Sequence, residues 1–338
     1  MTMTGVMIVP TGIGAAIGGH SGDANPAAKL VASVCDRLIT HPNVVNAADI
    51  NEMTDNTLYV EGSILDRFLE GEIELQEVRS NRILVVANLP LRSETVNAVS
   101  AARATIGVEA EILVLDTPLE MVARLGEGVA TGEVTGWREL VETVKEHEFD
   151  ALAIHTPIQV DRDLTIEYYT NGGVNPWGGV EAKASKLIAT ALDKPVAHAP
   201  LDNTPPGDGE LYYILDRVVD PRQAPEAVTA SCLHSVLRGL WRAPRIGKGV
   251  SVDDVDFLLT PVNCVGRPHR ACLERGIPVI AVEENTTCLD DEMPDEFMLA
   301  GSYMEAVGLI QAMRIGVSPA SVHRPLGHTE VTVSRTDE

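Results

Sequence analysis

DFLLTPVNCVGRPHRACLERGIPVIAVEEN, residues 256–285, decides the reading of the fold. An aliphatic run ends at Pro261, a helical pattern opens at Arg267-Pro268 and closes at Gly276, and a second aliphatic run follows over 278–285. Pro in the first turn and Gly just past the last one are start and stop signals of a helix. Two apolar runs joined through such a helix make a βαβ unit. The pattern recurs along the chain. GVMIVP (5–10) leads through a glycine-rich loop to a helix expected over 25–38, and RILVVANLP (82–90) leads to SETVNAVSAARATIG and then AEILVLD (110–116). WRELVETVKEHEF (137–149) precedes ALAIHTP (151–157), and VEAKASKLIATALD (180–193) precedes PVAHAP (195–200). TLYVEGSILDRFLEGEIELQEV (57–78) reads as strand, short helix and strand, an edge hairpin or small lobe whose acidic character argues against chemistry there. The alternation predicts an α/β fold of Rossmann-like type, a mostly parallel sheet flanked by helices in one or two lobes.

Composition agrees with that class. Over 338 residues, 45% are hydrophobic and only 4% aromatic, so Val, Ile, Leu and Ala must fill the core, as buried parallel strands require. The consecutive prolines of LDNTPPGDG (201–209) exclude helix and central strand. They suggest one lobe over 1–200, a second over 210–326 that is continuous with it or separate, and a loosely held tail over 327–338. A formal charge of −23, with no Lys/Arg-rich stretch to relieve it, argues against nucleic acid and anionic membranes as partners. The base rate for soluble proteins of this size predicts a homo-oligomer, a dimer first.

Cys35, Cys232, Cys264, Cys272 and Cys288 are odd in number and irregular in spacing, which suits free thiols in a reducing compartment. No Lys or Arg precedes Lys29, so the positive region of a signal peptide is missing, and no run reaches the roughly 20 apolar residues of a membrane span. A cytoplasmic location is expected.

Six aliphatic runs end in polar or Pro-containing turns: PTGIG, NLPLR, HTPIQ, HAPLD, TPVNC and EENTT. Ligands of open α/β sheets bind beyond the carboxyl ends of the strands. That rule is expected to bring His155, His198, Asp202, Asn263, Cys264, Glu284 and Asn285 to one edge. Each turn taken singly also has a plain reading, in which Pro and Asn merely end a strand.

TGIGAAIGGHSGDANP (11–26) is the sharpest motif. Gly12, Gly14, Gly18, Gly19 and Gly22 allow close backbone approach to a ligand, Asn25-Pro26 supplies cap and first-turn chemistry, and the helix start offers N–H groups to an anion. The dinucleotide fingerprint and the GK[ST] phosphate loop are both absent, so no cofactor is assigned. His20, Asp23, His41 and Asp49 carry a competing metal reading, against which stand a capping Asp23 and a hydrogen-bonded His20. The turn THPNVVNAAD (40–49), including His41 and Asn43, recognises a polar ligand or simply turns the chain.

Cys264 sits in a strand-to-helix turn with Arg267, His269 and Arg270 close behind. A helix start and neighbouring cations lower a thiol pKa, whereas a buried structural Cys is the competing outcome. YYTNGGVNPWGGVE (168–181) combines glycine hinges with Trp177 as a binding loop, or Trp177 only anchors it, with Glu181 and Lys183 facing solvent.

TGIGAAIGGHSGDANPAAKL, THPNVVNAADINEM, NTLYVEGSILDRFLEG and TPVNCVGRPHRACLERGIPVIAVEEN together resemble an uncharacterised family of cyanobacteria and plant plastids, over roughly residues 4–326. The resemblance carries no activity; it implies a cyanobacterial cytoplasm or a plastid stroma. From the residues themselves the leading expectation is a small-molecule enzyme of isomerase, racemase or lyase type. It would bind a small anionic metabolite on the 12–26 loop, with Cys264 and one of His20, His155 or His198 moving protons. A metal-dependent hydrolase or lyase on His20, Asp23 and His41 and a non-catalytic metabolite sensor are the alternatives.

Overall fold

The computed structural model describes residues 2–20, 23–45, 53–201, 218–225, 232–322 and 324–332. The amino-terminal part carries β1 (Thr4–Met7), α1 (Asn25–Ala32), β2 (Arg37–Thr40), β3 (Thr57–Tyr59), α2 (Gly62–Leu69) and β4 (Leu75–Gln76). The middle carries β5 (Arg82–Asn88), α3 (Ser93–Thr105), β6 (Glu109–Leu115), β7 (Glu120–Gly126), β8 (Val129–Thr135), α4 (Trp137–Val144), β9 (Ala151–Ile154), β10 (Ile158–Gln159), α5 (Arg162–Asn171), α6 (Gly178–Leu192) and β11 (Val196–His198). Then follow α7 (Cys232–Trp241), β12 (Arg245–Ile246), β13 (Phe257–Pro261), α8 (Arg267–Arg275), β14 (Val279–Val282), β15 (Met298–Ala300) and α9 (Tyr303–Ile315).

Two parallel sheets organise these elements. The first has six strands in the order β15-β14-β13-β1-β2-β3, every neighbouring pair parallel. Counted along the chain, that order is 6-5-4-1-2-3, the doubly wound arrangement in which the strand order reverses between the first and fourth strands. The second has four parallel strands, β11-β9-β5-β6, all from the middle of the chain. The first sheet therefore draws strands from both sides of the 201–209 segment, most of which lies outside the described residues.

Burial on both faces explains the aliphatic runs. In and just after β1, Val6 and Ile8 join one core cluster while Met7 and Val9 join the other, the two-residue period of a strand covered on both sides. Both clusters take residues from both sheets; α2 and α6 are in contact, and they give Ile64, Leu65, Phe68, Val180, Ala184 and Ile188 to the cluster that holds Val6 and Ile8. The α/β reading with a mostly parallel sheet is what the chain builds.

Local boundaries differ from expectation. The helix expected over 25–38 ends at Ala32, and Arg37–Thr40 instead form β2, paired with β1 and β3. A short apolar run satisfies helix and buried-strand patterns alike, and the open position beside β1 decides it. β7 and β8 form an antiparallel hairpin, unanticipated in the sequence, around Glu127 (φ 51°) and Gly128 (φ 78°), the positive-φ pair of a two-residue turn.

Candidate active site

The polar turns expected on one edge divide between two. Val9–Thr11, Asn263, Cys264, Glu284 and Asn285 follow strands of the first sheet, whereas His155 and His198 lie at strand ends of the second. Sequence alone cannot assign strands to sheets, hence the merged expectation. The two carboxyl edges meet across a cavity of about 90 Å³. With roughly 10–15 Å³ needed per water, that space suits a ligand of a few heavy atoms.

One wall comes from the first sheet: Thr11 and Gly12 after β1, His41 and Asn43 after β2, and Glu61 and Gly62 where β3 passes into α2. Gly19 and His20 join it from the glycine-rich loop. The opposite wall is Asn175, then Gly178, Glu181 and Ser185 of α6, and His198 at the end of β11. Glu181 and Ser185 share a helix face because they are four residues apart. Three consecutive strand ends thus face the start of one helix.

His198 is the least satisfied group there. Its side chain is 2% exposed, and neither ring nitrogen has a hydrogen-bond partner among the described residues. Glu181 Oε1 stands 3.7 Å from its Nδ1, close enough to stabilise an imidazolium but beyond a formed hydrogen bond. Next to it, His155 donates from Nδ1 to the Ala199 carbonyl at 2.8 Å, which leaves Nε2 as a buried acceptor without a hydrogen-bond partner among the described residues. Burial pulls His155 down to about 4, against the Ala199 hydrogen bond, so its ring is neutral at pH 7.

The other imidazoles on the cavity wall have structural partners. His41 Nε2 accepts the Val9 N–H at 3.0 Å, which fixes the proton of the neutral ring on Nδ1, and burial lowers its pKa to about 4. His20 Nδ1 shares a hydrogen bond of 2.5 Å with the Tyr168 hydroxyl and stacks on that ring; burial, then Arg222, lowers its pKa. Glu61 caps α2: its Oε2 accepts from the N–H groups of Ser63 (2.9 Å) and Ile64 (3.1 Å) and from the Ser63 hydroxyl, and Oε1 has no hydrogen-bond donor among the described residues. Burial raises its pKa. Glu61 and Ser185 are not among the residues the sequence singles out, and Glu181, which one reading of the 168–181 loop turns to solvent, lines the cavity instead. For Glu61 a signal existed, since it follows a strand as the expected site residues do.

The glycine-rich loop closes on itself. Asp23 Oδ1 accepts the N–H groups of Gly18 (2.8 Å) and His20 (3.3 Å), and Oδ2 accepts from Arg222 Nε at 2.7 Å. Asn285 accepts the Ile17 N–H (2.8 Å), donates to the Ile17 carbonyl (2.9 Å) and donates to the Tyr303 hydroxyl (2.8 Å), latching the loop to the end of β14. Gly12 accepts the Ala130 N–H, and Gly14 approaches Val174 closely. Asn43 ties the turn after β1 by donating to the Val9 and Pro10 carbonyls. Asn25 is the first residue of α1 rather than its cap; Ala24 holds the cap position and supplies no side-chain bond. Gly22, Asp49 and Asp202 lie outside the described residues.

Residues on the far side of the first sheet stay away from the cavity. The Cys264 thiol is buried, donates to the Pro261 carbonyl at 3.3 Å, and is pushed up to about 11 by that burial, against the Thr260 hydroxyl. Asn263 turns the chain at φ 56° and accepts the Asp291 N–H. Arg267 forms a two-pronged pair with Glu70 at 2.9 and 2.6 Å, and Glu284 accepts the Tyr303 N–H at the start of α9. No three His, Cys, Asp or Glu side chains converge as a metal-binding set among the described residues, so His20, Asp23 and His41 are not gathered as ligands. No described helix is long and apolar enough to cross a membrane.

A family described as proteins of unknown function, DUF3326, matches residues 4–323. An uncharacterized lipoprotein of Synechococcus sp. is 36% identical, over 95% of this chain and 93% of its own length. No solved structure matches.

Proposed function

We propose, from the premise that this chain belongs to the DUF3326 family of proteins of unknown function, that it is a small-molecule enzyme in which His198 transfers a proton to or from a bound metabolite. The observation that carries this reading is the isolation of His198: a buried imidazole on a cavity wall, with neither nitrogen hydrogen-bonded among the described residues and a carboxylate 3.7 Å away. Burying such a group without a partner costs stability, and the cost is recovered when a substrate supplies one. A proton taken up by His198 would leave an imidazolium that Glu181 stabilises, and the pair would tighten around a bound substrate. Glu61 Oε1 and Ser185 would orient the substrate. Proton transfer without a redox step is the chemistry of isomerases, racemases and lyases.

The test is a thermal-shift screen against a metabolite panel, followed by turnover assays on the hits with wild type and His198→Gln. The enzyme reading expects hits that His198→Gln still binds but no longer turns over. Binding without turnover by wild type would make the cavity a sensor.

Unbridged thiols at all five cysteines support a reducing, cytoplasmic setting for this chain. The relative described as a lipoprotein points the other way, and recovery of the protein in the membrane fraction after cell lysis would decide for it.

A further inference from the structure

The formal charge of the side chains on the cavity wall is one-sided. Among the described lining residues stand two carboxylates, Glu61 and Glu181, and no Lys or Arg. The nearby cations are engaged or set back: Arg222 pairs with Asp23 and the Ala15 carbonyl, Lys183 donates to the Gly132 carbonyl, and Lys186, whose charge Glu61 feels, lies outside the lining. The backbone N–H groups of Gly18 and His20 are taken by Asp23. His41 cannot act as a cation either, because burial holds its ring neutral.

From these walls we infer that the ligand carries a protonated amino group, held between Glu61 Oε1 and Glu181 rather than on the glycine-rich loop. The inference rests on the cavity being the substrate site proposed above. The carboxylates do not carry it alone. His198, nearly fully buried with neither nitrogen hydrogen-bonded among the described residues, independently marks the same cavity as built for a ligand. Glu61 is 6% exposed, and its three donors all converge on Oε2, so Oε1 is the atom left for a ligand. A cation beside a buried carboxylate restores the ionised form that burial disfavours. The anion expected from the sequence would meet two carboxylates at this wall with no fixed cation to offset them. The overall charge of −23 adds a field that draws cations toward the cleft.

Three small two-carbon probes separate the charge classes: ethanolamine, ethylene glycol and glycolate, titrated into the full-length protein by calorimetry and NMR. Ethanolamine should bind most tightly, and Glu61→Gln and Glu181→Gln should each weaken it by roughly tenfold or more, since the amide keeps an acceptor oxygen but loses the negative charge that strengthens the hydrogen bond. Glu181 is only partly buried, so Glu181→Gln keeps the test open if Glu61→Gln fails to fold. Preference for glycolate, equal binding of all three, no binding of any, or ethanolamine affinity unchanged in both variants would each overturn the inference. His198→Gln separates the two readings. Glycolate binding lost in that variant would remove the charge assignment and keep the His198 site. Ethanolamine binding that depends on Glu61, with turnover of a screened metabolite indifferent to His198, would do the reverse.

Discussion

Asp23 Oδ1 accepts the backbone N–H of Gly18 at 2.8 Å, so the anion at the centre of the glycine-rich loop is one of the loop's own side chains. Gly18 has φ +91°, and a Cβ there would stand 3.0 Å from Val9 Cγ1 and 3.2 Å from the Ala24 methyl. Gly18→Ala should therefore destabilise the fold by about 1–3 kcal/mol through strain at a positive φ. Asp23→Asn should also lower the melting temperature, because it removes the charge that holds Gly18, His20 and Arg222 together. Thermal melts alongside ligand titrations check both. A Gly18→Ala protein that melts like wild type but has lost its ligand would return the anion site to the loop.

Thiol reactivity should rank by burial and not by position in a helix start. Cys264 is buried and raised to about 11, whereas Cys288 is exposed. Thiolates are the reactive species, so a maleimide at pH 7.5 should modify Cys288 in the native protein long before Cys264, Cys35 or Cys272. Peptide mapping of timed samples reads the order. Rapid labelling of Cys264 would restore it as a nucleophile, and Cys264→Ala is expected to leave turnover unchanged.

Acid sensitivity should come from buried neutral histidines. His41, His155 and His269 are each lowered by burial to about 4 from 6.5. The unfolded chain binds protons at these positions first, so their stability contribution is full above about pH 6.5 and is lost as pH falls toward 4. Burial raises Asp66 to about 6 and raises Glu61 too, which adds an opposing trend across the same window. A difference measurement isolates one group. Denaturant melts of wild type and His269→Gln across pH 4–6.5 should diverge with a slope of about 1.4 kcal/mol per pH unit. Parallel curves would mean that His269 is already charged in the native state.

Much of the fold was legible because its strands are aliphatic and end in turn residues. The βαβ unit over 256–285 appears as β13, α8 and β14 with its boundaries nearly unmoved. β2 was hidden because Leu38 and Ile39 extend a helical pattern as well as a strand, and only burial between β1 and β3 chooses. In the site, His20, His41, Asn43, Gly12, Gly19 and His198 reach the cavity, while Cys264, Arg267 and Asn263 do not. The rule of carboxyl ends found strand termini correctly but could not say that two sheets were present, nor which ends face α6. Glu61 was set aside for standing in an acidic segment, yet β3 belongs to the first sheet and delivers that acid to the cavity.

Thr156 and His198 together give a test that needs no knowledge of the substrate. Thr156 is fully buried, and its Oγ1 has no hydrogen-bond partner among the described residues; the nitrogens of His198 share that condition. Leaving a buried polar group unpaired costs about 1–3 kcal/mol, and replacing it with an apolar group of similar shape recovers part of that cost. Thr156→Val is such a replacement and should raise the stability of the unliganded protein by about 1 kcal/mol. His198→Phe should likewise match or exceed wild type in the melt, because the phenyl ring fills the imidazole's place without unmet polar atoms. A residue kept at a cost to stability is one that function retains, so His198→Phe, on the cavity wall, should lose ligand affinity or turnover, whereas Thr156→Val, outside the lining, should keep both. Chemical denaturation of the three proteins, with and without a screened ligand, reads both effects. If His198→Phe is destabilised without ligand, its nitrogens have partners in the free protein, and the argument that His198 awaits a substrate fails.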